Sequence, residues 1–148
     1  MKIPQRGFTA AEFEKRTARA QKIMDRHGFD ALLLTAPPNV RYFTGFDSQF
    51  WESPTRPWFV VVPREGAPVA VIPEIGAPEM ALTWIRDIRT WAAPNPEDDG
   101  LSLLKSTIES LPRNPFPDAF IVMPRSESPA ALEAMRDEFA KYPGVEHV

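Results

Sequence analysis

Short, continuously apolar runs alternate along this chain with segments whose apolar residues recur every three or four positions, and that alternation leaves few folds open. Ala31-Leu32-Leu33-Leu34-Thr35 is such a run, as expected of a strand covered on both faces. Trp58 to Val62 and Val69 to Ile72 are two more, and the hairpin-length loop Arg64-Glu65-Gly66-Ala67 between them predicts antiparallel neighbours. Asp87 to Ala92 alternates like an edge strand, Ala119 to Met123 is a further strand, and Val145 to Val148 begins one more.

Helical periodicity fills the gaps. Thr9-Ala10-Ala11-Glu12 has capping-box spacing, in which the Thr and Glu side chains each reach the other's backbone N–H. Phe13, Thr17, Ala20 and Met24 continue it as one stripe, and Gly28 stands where the helix needs a left-handed residue at its end. Asn39 is expected to cap a short turn through Phe43, stopped by Gly45. Pro78 suits the first turn of a helix running to Trp84. Leu101, Leu104, Ile108 and Leu111 mark another helix, capped by Asp98 or Asp99 and ended by Pro112. A last one starts at Ser128-Pro129 with the stripe Leu132, Met135, Phe139 and Tyr142. Strands alternating with helices imply one layered α/β domain over residues 1–148, with a mixed sheet and helices on both faces.

Composition removes several functions. The chain of 148 residues carries a net charge of −3 without a basic stripe, which argues against a nucleic-acid partner. It has no cysteine, so disulfides, thiolate metal sites and a Cys nucleophile are excluded. No apolar run approaches membrane-spanning length and no signal core follows Met1, so the expected location is cytoplasmic, away from any membrane. Its 17 prolines lie between apolar segments and punctuate a folded domain.

A self-contained active site is not evident. His27 and His147 are the only histidines; His27 falls in the last turn of the first helix, where the dipole favours a cation. Asp98-Asp99 is ordinary chemistry for a helix start. The Gly-x-Ser-x-Gly and phosphate-loop patterns are missing, and Ser53 and Ser128 have no His nearby in sequence to act as base. What stands out is Gly45 to Trp58, in which Phe46, Phe50, Trp51 and Trp58 accompany Asp47, Glu52, Arg56 and two prolines. Aromatics beside Arg are enriched at binding hot spots. The competing reading is that Phe46, Phe50 and Trp51 only cover one end of the core, with Arg56 paired to Glu52 or Asp47.

The order of elements around Asn39-Val40-Arg41-Tyr42-Phe43-Thr44-Gly45-Phe46, followed by Phe59-Val60-Val61-Val62-Pro63 and Val69-Ala70-Val71-Ile72, resembles the N-terminal domain of the creatinase/prolidase/aminopeptidase P family over nearly the whole chain. That resemblance implies a three-layer α/β/α domain with a mixed, mostly parallel sheet. It also implies a second, catalytic "pita-bread" domain absent from this chain, for which roughly 200–250 further residues are expected after Val148. In the peptidases that second domain holds two divalent metal ions (Mn, Co or Zn); no cofactor is expected in this one. The resemblance further implies a homodimer in which the 46–58 loop reaches the partner's active site. Phe50, Trp51, Glu52 and Arg56 are then the substrate-binding candidates, with Trp51 walling an apolar pocket and Arg56 holding a carboxylate. The expected function is a non-catalytic domain of a metal-dependent Xaa-Pro peptidase. The alternatives are the same domain of a creatinase-like C–N hydrolase, or a free-standing binding module.

Overall fold

The computed structural model describes residues 7–48 and 57–112, together with the backbone of 120–123. Helix α1 spans Ala10–His27. Thr9 accepts the Glu12 N–H at 3.3 Å, the expected half of a capping box. The other half is replaced: the Glu12 carboxylate takes Arg16 Nε at 3.1 Å, one turn on. Phe8, just outside the cap, meets Phe13 edge-on with ring centroids 6.1 Å apart, which fixes the angle of chain entry. Phe13, Thr17 and Met24 are buried, and Gly28 ends the helix at φ 73°.

Strand β1 (Ala31–Leu34) leads to α2 (Pro37–Thr44). The cap of α2 is Ala36, and both prolines lie in its first turn. Asn39 is therefore inside the helix, because proline's fixed φ already sets the first helical positions. Strands β2 (Phe59–Pro63) and β3 (Val69–Pro73) form the expected antiparallel hairpin. Gln21 of α1 ties to that hairpin by donating to the carbonyls of Pro63 and Gly66 at 3.0 and 2.8 Å. A 3-10 turn at Glu74–Gly76 precedes α3 (Ala77–Met80), which stops four residues short of Trp84. It stops because the Thr83 hydroxyl donates to the Met80 carbonyl at 2.7 Å and accepts the Ile85 N–H at 3.1 Å.

Strand β4 (Asp87–Trp91) is an edge of the described sheet, and α4 covers Leu101–Glu109. Gly100, at φ 79°, occupies the cap position of α4, and Asp98 still supplies the capping oxygen, accepting the Ser102 N–H at 3.0 Å. That bond holds the Asp98 carboxyl below the usual carboxylate range. Strand β5 is Phe120–Met123. The helix expected from Ser128 and the strand at Val145–Val148 lie outside the described residues.

The sheet order is β4-β3-β2-β1-β5. Pairs β1–β5 and β3–β4 are parallel, while β1–β2 and β2–β3 are antiparallel. The sheet is thus mixed as expected, but parallel pairing does not predominate among the described strands. Leu34 pairs with Val60, so β2 begins at the end where β1 finishes and must run back beside it. Strand alternation divides the core in two. Leu34, Val60, Val62, Ala70 and Ile72 face α1, α2 and α3, whereas Ala31, Phe59, Val61, Val69 and Val71 face α4. This is the three-layer α/β/α arrangement, and each fully buried Val or Ile contributes about 1.5–3 kcal/mol. Among the described residues, no helix is long and apolar enough to cross a membrane.

Candidate functional site

Phe50, Trp51, Glu52 and Arg56 lie outside the described residues, so the site is built here from the two stems that carry them. The first stem is the end of α2. Gly45 follows Thr44 at φ 74°, a left-handed turn that glycine adopts without strain, and its N–H bonds the Arg41 carbonyl. The Thr44 hydroxyl is buried; it donates to the Val40 carbonyl at 2.7 Å and accepts the Phe46 N–H at 2.9 Å. Trp84 donates its indole N–H to the Phe43 carbonyl at 2.8 Å, from 41 positions further along the chain.

The second stem is Trp58, at the start of β2. Its ring lies 5.3 Å from that of Phe46, and both residues are buried. The benzene edge of Trp58 rests on Gly76, where any Cβ would overlap the ring. Phe46 is therefore part of the core, as the core-covering reading asked of it; Phe50, Trp51 and Arg56, the rest of that reading, lie outside the described residues. Asp47, the residue after Phe46, pairs with Arg41 at 3.2 Å, and both side chains are exposed. An exposed pair of this kind contributes about 0–1 kcal/mol.

Beside the first stem, a groove of about 600 Å³ runs between α1 and α2, with Phe8, Phe13, Arg16, Arg41, Tyr42 and Asp47 on its walls. Arg16 lies among its aromatic rings. The guanidinium lies 4.2 Å from the Phe8 ring centre, 4.6 Å from Tyr42 and 5.2 Å from Phe13. It also donates to the Tyr42 carbonyl at 2.9 Å. Sequence reading missed this cluster, whose members come from α1, the residue before its cap, and α2. The one local signal was Phe8 before the Thr9 cap, five residues from Phe13.

Titratable groups elsewhere have structural roles. His27 is exposed in the last turn of α1 and stacks on Phe29 at 5.9 Å, and Asp98 caps α4. His147 lies outside the described residues. Among the described residues, no three His, Asp or Glu side chains group as metal ligands would. Arg89 donates to Asp87 at 3.0 and 3.2 Å, which raises its pKa, and also to Thr107 of α4 at 3.1 Å.

The same arrangement of elements occurs in solved structures. A dipeptidase from Mycobacterium ulcerans matches at 20% identity and TM-score 0.59, over 95% of this chain and 39% of its own. A prolidase from Thermococcus sibiricus matches at 20% identity and TM-score 0.62, over 93% of this chain and 35% of its own. The creatinase/prolidase N-terminal domain of an X-Pro dipeptidase from Streptococcus pyogenes matches at 16% identity and TM-score 0.60, over 85% of this chain and 88% of its own. At these identities the likeness establishes the fold. The chain spans little more than a third of the length of the first two. No curated protein sequence matches the chain significantly. The family model for the creatinase/prolidase N-terminal domain aligns with residues 16–139, most of the chain, from within α1 to beyond β5, and the chain belongs to that family.

Proposed function

We propose that this chain is the non-catalytic N-terminal domain of a metal-dependent Xaa-Pro peptidase, and that it shapes access to an active site carried by a second domain. The observation that carries the reading is the coverage. The match covers 88% of a solved N-terminal domain of an X-Pro dipeptidase but 35% of a prolidase. Its partners are then its own C-terminal domain and a second copy of the full-length protein. The two divalent ions belong to the C-terminal domain, and the location is cytoplasmic. A strictly monomeric full-length protein in size-exclusion chromatography contradicts the homodimer.

The 46–58 loop is the part proposed to meet substrate, with Arg56 pairing a substrate carboxylate and Phe50, Trp51 and Glu52 lining its approach. Its supporting feature is the pair of anchored stems: a loop held at both ends presents its side chains at a lower ordering cost. Replacement Arg56→Ala in the full-length protein should raise KM for an Xaa-Pro dipeptide, about tenfold or more, with a smaller effect on kcat. Unchanged KM and kcat would remove the loop from the substrate site.

A further inference from the structure

Strand β4 closes one side of the described sheet, with β3 as its one neighbour among the described strands. From the order of charges along it we infer that this edge is an interface: β4 pairs antiparallel with β4 of a second copy, about a two-fold axis at Ile88. The inference rests on the reading of the full-length protein as a homodimer, and it names the face that carries the contact.

An edge strand offers its free backbone N–H and C=O groups to any strand that can approach, and proteins discourage the approach with charges or proline on the edge. Strand β4 has no proline, and its two charges compensate each other. Asp87 and Arg89 are two residues apart and so share a face of the sheet. Arg89 donates to both oxygens of Asp87 at 3.2 and 3.0 Å, and to Thr107 at 3.1 Å, which holds the pair on the α4 side. Their side chains remain 32% and 45% exposed, Arg89 first, so both can be reached from beyond the edge. On the other face Ile88 is half-buried against the core under α1 to α3, and Thr90 is exposed.

Symmetry then limits the register. In an antiparallel pair of identical strands related by a two-fold axis, the axis passes between two copies of the same residue. An axis at Asp87 sets carboxylate against carboxylate, and one at Arg89 sets guanidinium against guanidinium. An axis at Thr90 or Trp91 leaves both charges without an opposite charge across from them. An axis at Ile88 places Asp87 opposite the second copy's Arg89 and Arg89 opposite its Asp87. The two Ile88 side chains then meet on the other face, and Arg86 comes opposite Thr90. Directly opposed residues have Cα atoms about 4.5–5.5 Å apart, and both opposite-charge and apolar pairs at that spacing favour association. One register satisfies every charge on the edge.

The test uses the full-length protein, with dimer affinity from sedimentation and folding checked by circular dichroism. Asp87→Arg makes both edge charges positive and Arg89→Asp makes both negative, so each variant alone should dimerise about tenfold more weakly or worse. Mixed in equal amounts, the two variants face each other with opposite charges and should recover most of the affinity. Neither chain in that mixture has a compensated pair within its own strand, so repair of the strand cannot explain the rescue. The 148 residues contain no cysteine, which makes cross-linking a second, charge-independent arm. Ile88→Cys lies on the axis, within disulfide reach of its counterpart, and should cross-link under mild oxidation where the parent protein does not. Thr90→Cys is displaced from its counterpart by four residues, about 13 Å, and should not. A mixture that stays as weak as its components, or a cross-link through Thr90→Cys in place of Ile88→Cys, overturns the pairing. Wild-type affinity in both charge variants overturns the β4 interface while the homodimer stands, and a monomeric wild type overturns both. Should a charge variant fail to fold, the absence of the Ile88→Cys cross-link overturns the pairing by itself.

Discussion

Two residues differ in how much of their importance is visible from their type. Gly76 has an ordinary backbone conformation at φ −90°, so glycine is not required there for conformational freedom. It is required because Trp58 occupies the space of its Cβ. Gly76→Ala forces the indole out of its place and should destabilise the fold by about 1–3 kcal/mol, read as a lower urea midpoint with an unchanged slope. Asp98 is the converse case, an exposed carboxylate whose residue type did announce its role. Its bond to the Ser102 N–H lowers its pKa in the folded state relative to the unfolded chain, where about 3.9 is usual. A depressed carboxylate stabilises the fold above the unfolded value, and the contribution is lost as pH falls through the folded one. Wild type should therefore melt higher than Asp98→Ala between roughly pH 5 and 7, with the gap closing below about pH 4. A gap independent of pH would contradict the ionic cap.

At the scale of elements, periodicity placed helices and strands well wherever one buried stripe dominates. Met24 in α1 is 1% exposed and packs on the β-sheet, while its neighbour Ile23 is 41% exposed. Met24→Ala should cost about 2–5 kcal/mol in chemical denaturation, and Ile23→Ala about 0.5 kcal/mol or less. Similar costs for the two would mean that α1 is rotated about its axis. The buried strands were equally legible, since runs of Val, Leu and Ile four to five residues long admit little else. Helix ends were harder. The start of α2 was misread because proline both stops a strand and opens a helix, and α3 ended early because the Thr83 hydroxyl, not a glycine or proline, closes it.

For the whole molecule, the family and the layered fold were readable from the order of elements, and the candidate site only in part. The aromatic loop was noticed by composition, yet the contacts that define its base join Phe43 to Trp84 and Phe46 to Trp58 to Gly76, none of them near neighbours in the chain. If the domain only shapes access, the purified 148-residue chain should turn over no Xaa-Pro dipeptide with Mn, Co or Zn ions supplied, while the full-length protein does. Turnover by the short chain, or a tightly held pair of ions in it, would contradict the proposal.

Among the described residues, the sequence by itself determined which segments are helices and which are strands, because burial of one stripe or of both faces writes a period of 3.6 or a continuous apolar run into the chain. It also determined the β2–β3 pairing, because so short a loop permits only a hairpin. The tertiary structure alone decided the direction of β1 against β2, the enclosure of Arg16 by three rings and the bracing of both loop stems from one segment. Those depend on which distant surfaces meet, and a contact such as Arg16 to Tyr42 or Phe43 to Trp84 leaves no periodic trace in the order of residues.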